Sequence, residues 1–145
     1  MPAWVDAAVA EYAKRIGRSV PLELVEIKPQ ARSGGTSAAR AVAQEADRIR
    51  AALPRQAQVI ALDEHGTEIT TRALSQRLEG WMAEGSDVAF VIGGADGLDR
   101  ELKSSAHHTL RLSSLTLPHA LVRVLLAEQL YRAMSLLKNH PYHRE

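Results

Sequence analysis

Segments with helical spacing of apolar residues alternate along the chain with short apolar runs. The first pattern predicts helices and the second predicts strands. Helical spacing predicts helices over Ala3–Ile16, from about Ser37 to Leu53, and over Thr71–Glu84. The Ser37 side chain suits the N-cap of the second helix, and Pro54 stops that helix. On the first helix, the predicted apolar face consists of Trp4, Ala8, Tyr12 and Ile16.

Short apolar runs between the helices predict four strands. The first run alternates, whereas the second and third are continuously apolar, which is typical of strands buried on both faces. The second run is expected to end at Asp63, with a turn at His65 and Gly66. The strands are predicted over Leu22–Lys28, Val59–Leu62, Val88–Ile92 and Thr109–Leu112.

The rest of the chain provides two further helices and the loops. A short helix is predicted near Asp99–Ala106 and a long one over Ala120–Leu137, with loops at Pro29–Thr36 and Ser113–Pro118. Because strands and helices alternate, we expect one α/β domain over residues 1–145, with a parallel sheet covered on both faces.

Ligands of parallel sheets bind beyond the carboxyl ends of the strands. This rule singles out Leu62 with Asp63, the loop Gly93–Gly97, and the loop Ser113–Pro118. The glycines allow close approach of the backbone to a ligand, although such a loop is often only a tight turn. The second loop offers hydroxyls and backbone donors that suit an adenine and a ribose, or it serves only to begin the next helix.

Composition and charge narrow the function classes. Of the 145 residues, 46% are hydrophobic and 24% charged, which is typical of a globular protein, and no apolar run has the length of a membrane span. The absence of cysteine excludes disulfides and thiolate metal sites. We therefore expect a soluble cytoplasmic protein with no membrane partner and no metal. Residues 100–145 carry 7 Lys and Arg against 3 Asp and Glu, so an anionic partner could meet this end, or the charges form a solvated face.

The final helix is apolar around most of its circumference. Such a helix is surrounded by its own core or covered by a second subunit, and a homodimer is the favoured interpretation. Arg123 and Arg132 interrupt the apolar surface. Arg132 could pair with Glu128 at i, i+4, and either arginine could instead contact RNA phosphates.

The polar tail after Asn139 combines an aromatic ring, two imidazoles and a guanidinium. These groups can stack on a base, transfer protons near neutral pH and bind a phosphate. The alternative is an ordinary frayed terminus.

Several motifs in fixed order resemble the RlmH family of SPOUT methyltransferases. The resemblance extends over nearly the whole chain and is strongest from Val88 to Glu145. It rests on four segments, namely Ile92-Gly93-Gly94-Ala95-Asp96-Gly97-Leu98, Leu115-Thr116-Leu117-Pro118-His119 with Arg123, Glu128-Gln129-Leu130-Tyr131-Arg132-Ala133, and His140-Pro141-Tyr142-His143-Arg144.

The resemblance implies transfer of a methyl group from S-adenosylmethionine to N3 of a pseudouridine in large-subunit (23S) ribosomal RNA. It implies that this RNA is modified within the ribosome. It also implies a homodimer and a C-terminal trefoil knot, which is an exception to the rule that chains avoid knots. The implied cofactor-binding residues are Leu62, Gly93, Gly94, Leu112, Ser113, Ser114, Leu115, Thr116 and Leu117.

The implied catalytic residues are three in the tail and one on the last helix. Tyr142 and His143 would position and deprotonate the base, Arg144 would bind a phosphate or ring charge, and Arg132 would assist. The family also begins with a strand before the helix that here starts near Pro2. A chain without that strand is expected to have an exposed sheet edge and lower stability than a longer relative.

Two other functions are compatible with these residues. The same fold could methylate transfer RNA, or the protein could be an RNA-binding module that does not use the cofactor. Mass mapping of ribosomal RNA and calorimetry with S-adenosylmethionine would distinguish them.

Overall fold

The structure is a computed structural model and describes residues 1–18, 20–28, 37–94 and 96–139. In chain order, its elements are α1 (Ala3–Ile16), α2 (Ala38–Ala52), β1 (Gln58–Glu68), α3 (Thr71–Glu84), β2 (Val88–Ile92), α4 (Arg100–Ser105), β3 (His108–Arg111) and α5 (His119–Leu137). Strands and helices alternate from α2 onward, which confirms the predicted α/β class. No helix among the described residues is both long and apolar enough to cross a membrane.

The chain forms two compact units that interleave in sequence. The helix unit comprises Met1–Leu24, Glu68–Gly85 and the chain from Leu112 onward. The sheet unit comprises Val25–Thr67 and Ser86–Arg111. The assignment of residues 1–145 to one domain stays a prediction.

Local sequence signals define the helix ends. The hydroxyls of Ser37 and Thr70 accept hydrogen bonds from the backbone three residues later, at 3.1 and 3.0 Å, and begin α2 and α3. Asp99 caps α4 in the same way, through its contact with the Leu102 N–H at 3.1 Å. These side chains satisfy amides that a helix leaves unpaired at its start, which confirms the predicted N-cap at Ser37.

The sheet unit contains a three-stranded sheet in the order β2-β1-β3. β1 and β2 run parallel, in a register that pairs Gln58 with Val88 and Leu62 with Ile92. Ile60 and Ala61 point to opposite faces of β1, and both are buried. The sheet is therefore covered on both faces, as its continuous apolar strands predicted.

One face of this sheet packs against α2 and α4. Ala46 of α2, Ala61 and Val91 of the sheet, and Leu102 of α4 form one buried cluster, together with Leu98 from the loop after β2. Burial of these side chains stabilises the unit by removing apolar surface from water. The cluster also holds the loop after β2 against the body of the unit.

The predicted turn at His65 and Gly66 is wrong, because β1 continues to Glu68. Gly66 is needed for another reason. A Cβ built on Gly66 would lie 2.6 Å from the Leu110 carbonyl carbon, closer than real side chains approach a backbone. A glycine thus allows the β1 backbone to lie against Leu110, and its presence in a strand marks close approach.

Replacing Gly66 with alanine is expected to lower the free energy of unfolding by about 3 kcal/mol, because the new Cβ would have to displace the Leu110 backbone. The matched control is Gly80→Ala in α3, where a Cβ would meet nothing within 4 Å. That substitution should raise the free energy by about 0.5–1 kcal/mol through helix propensity. Urea unfolding of both variants at one protein concentration measures this, and equal stabilities would contradict it.

The predicted strand over Leu22–Lys28 is also wrong. Residues 20–28 form no strand, and Val25 is 54% exposed. Leu22 instead packs beside the buried cluster of Val5, Val9 and Ala127 in the helix unit. An alternating pattern gives a segment a buried side, but a strand also requires a neighbouring backbone to pair with. The predicted loop Pro29–Thr36 lies outside the described residues, and the predicted absence of a first strand stays a prediction.

The helix unit is organised around α5, which packs against both α1 and α3. The buried face of α1 includes Val5, Val9 and Ile16. Trp4, which was predicted to lie on the apolar face, is 52% exposed. Ile16 is buried as predicted, whereas Val5 and Val9 each lie one residue after the predicted positions Trp4 and Ala8. On the α3 side, the buried Ser75 hydroxyl donates to the Ala133 carbonyl at 3.0 Å. The apolar circumference of α5 thus reflects two packed neighbours.

Candidate functional site

The parallel pairing of β1 with β2 ends at the carboxyl end of β2, while β1 continues to Glu68. Leu62 is the last residue of β1 paired with β2, and its partner is Ile92. Leu62 is buried, and Gly93 follows its partner directly. The structure thus brings together two predicted cofactor-binding positions, Leu62 and Gly93, at one edge of a parallel sheet, where ligands of such sheets bind.

A tight turn follows β2. The Gly97 N–H donates to the Gly94 carbonyl at 3.0 Å, and Gly97 has a φ of 80° that favours glycine. A Cβ on Gly93 would lie 2.6 Å from the Gly97 carbonyl carbon and 2.9 Å from the Leu98 nitrogen. Among the residues that the structure describes, a Cβ on Gly94 would meet Glu45 Oε1 alone, at 3.8 Å. Gly93 is therefore required by the turn itself, whereas Gly94 presents bare backbone with space beside it.

An ion pair lies just beyond Leu62. Asp63 Oδ1 is 3.4 Å from Lys103 Nζ, and Asp63 Oδ2 accepts from the His65 N–H at 3.1 Å. Both oxygens of this mostly buried carboxylate thus contact donors, so Asp63 is held in place directly after the last β1 residue that pairs with β2. Sequence reasoning noted Asp63 but missed Lys103, because no local pattern links two residues on different elements.

The loop at residues 112–117 begins the helix unit's C-terminal part, directly after β3. Ser113 Oγ accepts from the Leu115 N–H at 2.9 Å, so this hydroxyl stabilises a local turn. The Leu115 side chain is 74% exposed, which leaves an apolar group in solvent at the loop. Pro118 then precedes α5. The closure of this loop over the strand ends of the sheet unit stays a prediction.

Arg132 on α5 forms the predicted pair with Glu128. Its Nε and one terminal nitrogen both lie 3.0 Å from Glu128 Oε2. Glu128 Oε1 accepts from Gln129 Nε2 at 2.7 Å, and Gln129 Oε1 accepts from the Thr71 hydroxyl at 2.6 Å. Sequence reasoning found the Glu128 pair but missed Gln129 and Thr71. The network ties Arg132 to the start of α3 and fixes its side chain on the helix.

The other arginine and the tail complete the predicted set. Arg123 is partly buried on α5. Tyr142, His143 and Arg144 lie outside the described residues, so their catalytic roles stay predictions. Among the described residues, no group of three or more His, Cys, Asp or Glu is arranged to hold a metal ion.

Comparison with known proteins gives a consistent picture. The model of a family described as predicted SPOUT methyltransferase matches residues 1–143. A protein of Ralstonia nicotianae named ribosomal RNA large subunit methyltransferase H is 59% identical over 144 residues, covering 99% of this chain and 92% of that protein. Proteins of the same name from Laribacter hongkongensis and Chromobacterium violaceum are 58% and 56% identical over 145 residues, covering 100% of this chain and 93% of each relative.

Proposed function

Because this chain belongs to the SPOUT methyltransferase family, we propose that it transfers a methyl group from S-adenosylmethionine to N3 of a pseudouridine in large-subunit (23S) ribosomal RNA. The observation that carries the proposal is similarity of 56–59% over nearly the full chain to proteins named for methylation of large-subunit ribosomal RNA. We also propose that the protein acts in the cytoplasm and that the assembled ribosome is its substrate.

S-adenosylmethionine fits the residues at the strand ends. Among the described residues, a Cβ on Gly94 would meet Glu45 Oε1 only, at an ordinary 3.8 Å, and the apolar Leu62 lies in the last residue pair of β1 and β2. The backbone of residues 112–117 would complete the site with donors and acceptors suited to adenine and ribose. We propose that the C-terminal part of the chain forms a trefoil knot, as in the family, and that the knot positions this loop for cofactor binding.

The bound cofactor supplies an electrophilic methyl carbon on a charged sulfur. The protein's own contribution is alignment, because an in-line displacement requires the attacking nitrogen and the methyl carbon to be held close together. Residues at the strand ends orient the methyl group and exclude water. The nitrogen carries a proton, so a protein group must also remove this proton or stabilise the resulting ring anion.

The tail and α5 supply these groups in our proposal. Tyr142 stacks on or orients the target base, and the His143 imidazole takes the N3 proton. Arg144 neutralises a phosphate or the developing ring charge. Arg132 assists from α5, where Glu128 already holds its guanidinium in a fixed direction. A positioned arginine loses less conformational freedom on binding an anion than a mobile one.

A homodimer covers the exposed part of α5. Leu121 and Leu125 lie one helical turn apart and are 40% and 38% exposed, although α5 packs on two other helices. A row of exposed apolar residues on a helix can pack against the same row of a second copy that is related to it by a twofold axis. We propose that the second subunit completes the site.

The proposal is tested by incubating the protein with labelled S-adenosylmethionine and ribosomes from a strain that lacks the modification. We expect label in large-subunit ribosomal RNA and none in transfer RNA. Label in transfer RNA alone would reassign the substrate. Calorimetry without RNA separates the other alternative, because an RNA-binding module that does not use the cofactor would give no heat with S-adenosylmethionine.

Replacing Tyr142 with phenylalanine and His143 with alanine together is expected to slow methylation by about 10²-fold or more, the usual contribution of a general base. Cofactor affinity should stay within about twofold, since neither residue belongs to the proposed cofactor-binding set. Single-turnover methylation and calorimetry measure the two quantities. A double variant that methylates at the wild-type rate would remove these residues from the mechanism.

A further inference from the structure

A cationic and aromatic cluster lies on the surface of the helix unit, on α1 and α5. The Arg15 guanidinium carbon is 5.4 Å from the Tyr12 ring centre and 5.9 Å from the Tyr131 ring centre. The two ring centres are 6.1 Å apart, with planes inclined by 39°. One guanidinium is therefore held over two rings at once, a geometry in which each ring attracts the cation. We call these three residues the Arg15 cluster.

The Arg15 cluster is held in place yet accessible. Arg15 Nε donates to Glu11 Oε2 at 2.7 Å, and this hydrogen bond raises the pKa of Arg15. Within the described part of the chain, the two terminal amino groups of Arg15 have no hydrogen-bond partner, and its side chain is 43% exposed. The rings and Glu11 thus fix the direction of a charged group whose outer donors face solvent.

Neighbouring charges favour an anionic ligand. Lys14 and Arg18 are exposed near the end of α1, one on each side of Arg15 in sequence. Cations at a helix end also interact favourably with the helix dipole, which by itself would explain their presence. It does not explain Arg15, whose guanidinium lies over the tyrosine rings and is fixed there. A fixed planar donor fork beside mobile positive charges is suited to a phosphate.

We propose that the Arg15 cluster is a second RNA-contact surface, at which Arg15 donates both terminal amino groups to one backbone phosphate while Lys14 and Arg18 attract the adjoining phosphates. This inference rests on the proposed function for the identity of the RNA. None of its residues belongs to the set proposed for cofactor binding or methyl transfer. The surface binds the substrate through residues outside the proposed catalytic set, so its contribution is to affinity and not to the chemical step.

The test compares Arg15→Gln with Arg72→Gln, which removes an exposed arginine of α3 from the same unit. The probe is a fluorescein-labelled transcript of large-subunit ribosomal RNA, titrated without cofactor at several salt concentrations. Arg15→Gln should weaken binding by about tenfold and lower the salt dependence by about one counterion. Arg72→Gln should bind within about twofold of wild type. Methylation by Arg15→Gln at saturating RNA should proceed at the wild-type rate, with a raised KM.

Arg15→Lys keeps the charge but removes the planar fork, so it should weaken binding less than Arg15→Gln. This variant also tests the proposal if Arg15→Gln fails to fold, which a thermal melt would reveal. Binding of Arg15→Lys and Arg72→Gln with equal affinity would overturn the proposal, as would displacement of the RNA by polyglutamate at equal charge concentration, which would indicate an acidic protein partner. A wild-type protein that binds RNA through this surface but methylates nothing would overturn the proposed function alone.

Discussion

Alanine at position 93 is expected to abolish S-adenosylmethionine binding under conditions where the wild-type protein binds it. The added Cβ would lie 2.6 Å from the Gly97 carbonyl carbon, so the turn after β2 must open. Opening also displaces Leu98, which belongs to the buried cluster of the sheet unit. If forced overpacking costs about 3 kcal/mol, a ligand that requires the closed turn loses about a hundredfold in affinity.

Gly94→Ala is the matched control for this prediction. Within the described part of the chain its Cβ would meet Glu45 Oε1 alone, at 3.8 Å, which is an ordinary contact, so the free energy of unfolding should change by less than about 0.5 kcal/mol. Its cofactor affinity should nevertheless fall, because a methyl group would stand where the cofactor approaches the backbone. Calorimetry and urea unfolding of both variants measure these effects. Normal cofactor binding by Gly93→Ala would show that the turn has no part in the site.

Replacing Leu121 and Leu125 together with glutamate is expected to produce a monomer and to reduce methylation by about 10²-fold. The two carboxylates of each subunit would be buried in the apolar dimer interface without opposite charges beside them. The free-energy cost of burying them would exceed the stabilisation that the interface provides. Methylation should fall because the proposed site needs the second subunit, and small misplacements of catalytic groups cost about this factor. Sedimentation velocity measures the first effect and methyl transfer to ribosomes the second.

The control for the dimer variant is Met82→Glu on α3, which also replaces an exposed apolar residue with an acid. Met82 lies on another helix than the proposed interface, so this variant should keep the wild-type sedimentation coefficient and activity. A dimer in the double variant would place the interface elsewhere. A fully active monomer would show instead that one subunit contains the whole site.

The sequence alone sufficed for features that depend on nearby residues. Helical periodicity placed α1 and α3 at the residues where the structure has them and α5 within one residue, and a continuous apolar run placed β2. The N-cap at Ser37 was predicted because a cap is a hydrogen bond over three residues. Arg132 with Glu128 was predicted because residues one helical turn apart must be neighbours.

Features that depend on backbone from distant parts of the chain could not be predicted from the sequence. Gly66 looked like a turn residue, and only the Leu110 backbone lying against it explains why a glycine continues the strand. The segment over Leu22–Lys28 has the alternation of a strand but no strand beside it. Trp4 was predicted on the buried side of α1, but the residue that packs with Ala127 of α5 is Val5.

The candidate site divides in the same way. The sequence by itself determined which residue types stand at the strand ends, because strand and glycine signals are local and their motifs occur in a fixed order. Only the tertiary structure decided that Leu62 pairs with Ile92, that Lys103 holds Asp63, and that Arg15 lies over two tyrosines. Tyr12 lies one helical turn from Arg15, but Tyr131 lies on another helix. The contact with Tyr131, like the other two, joins residues that are remote in sequence, and it depends on how whole elements pack.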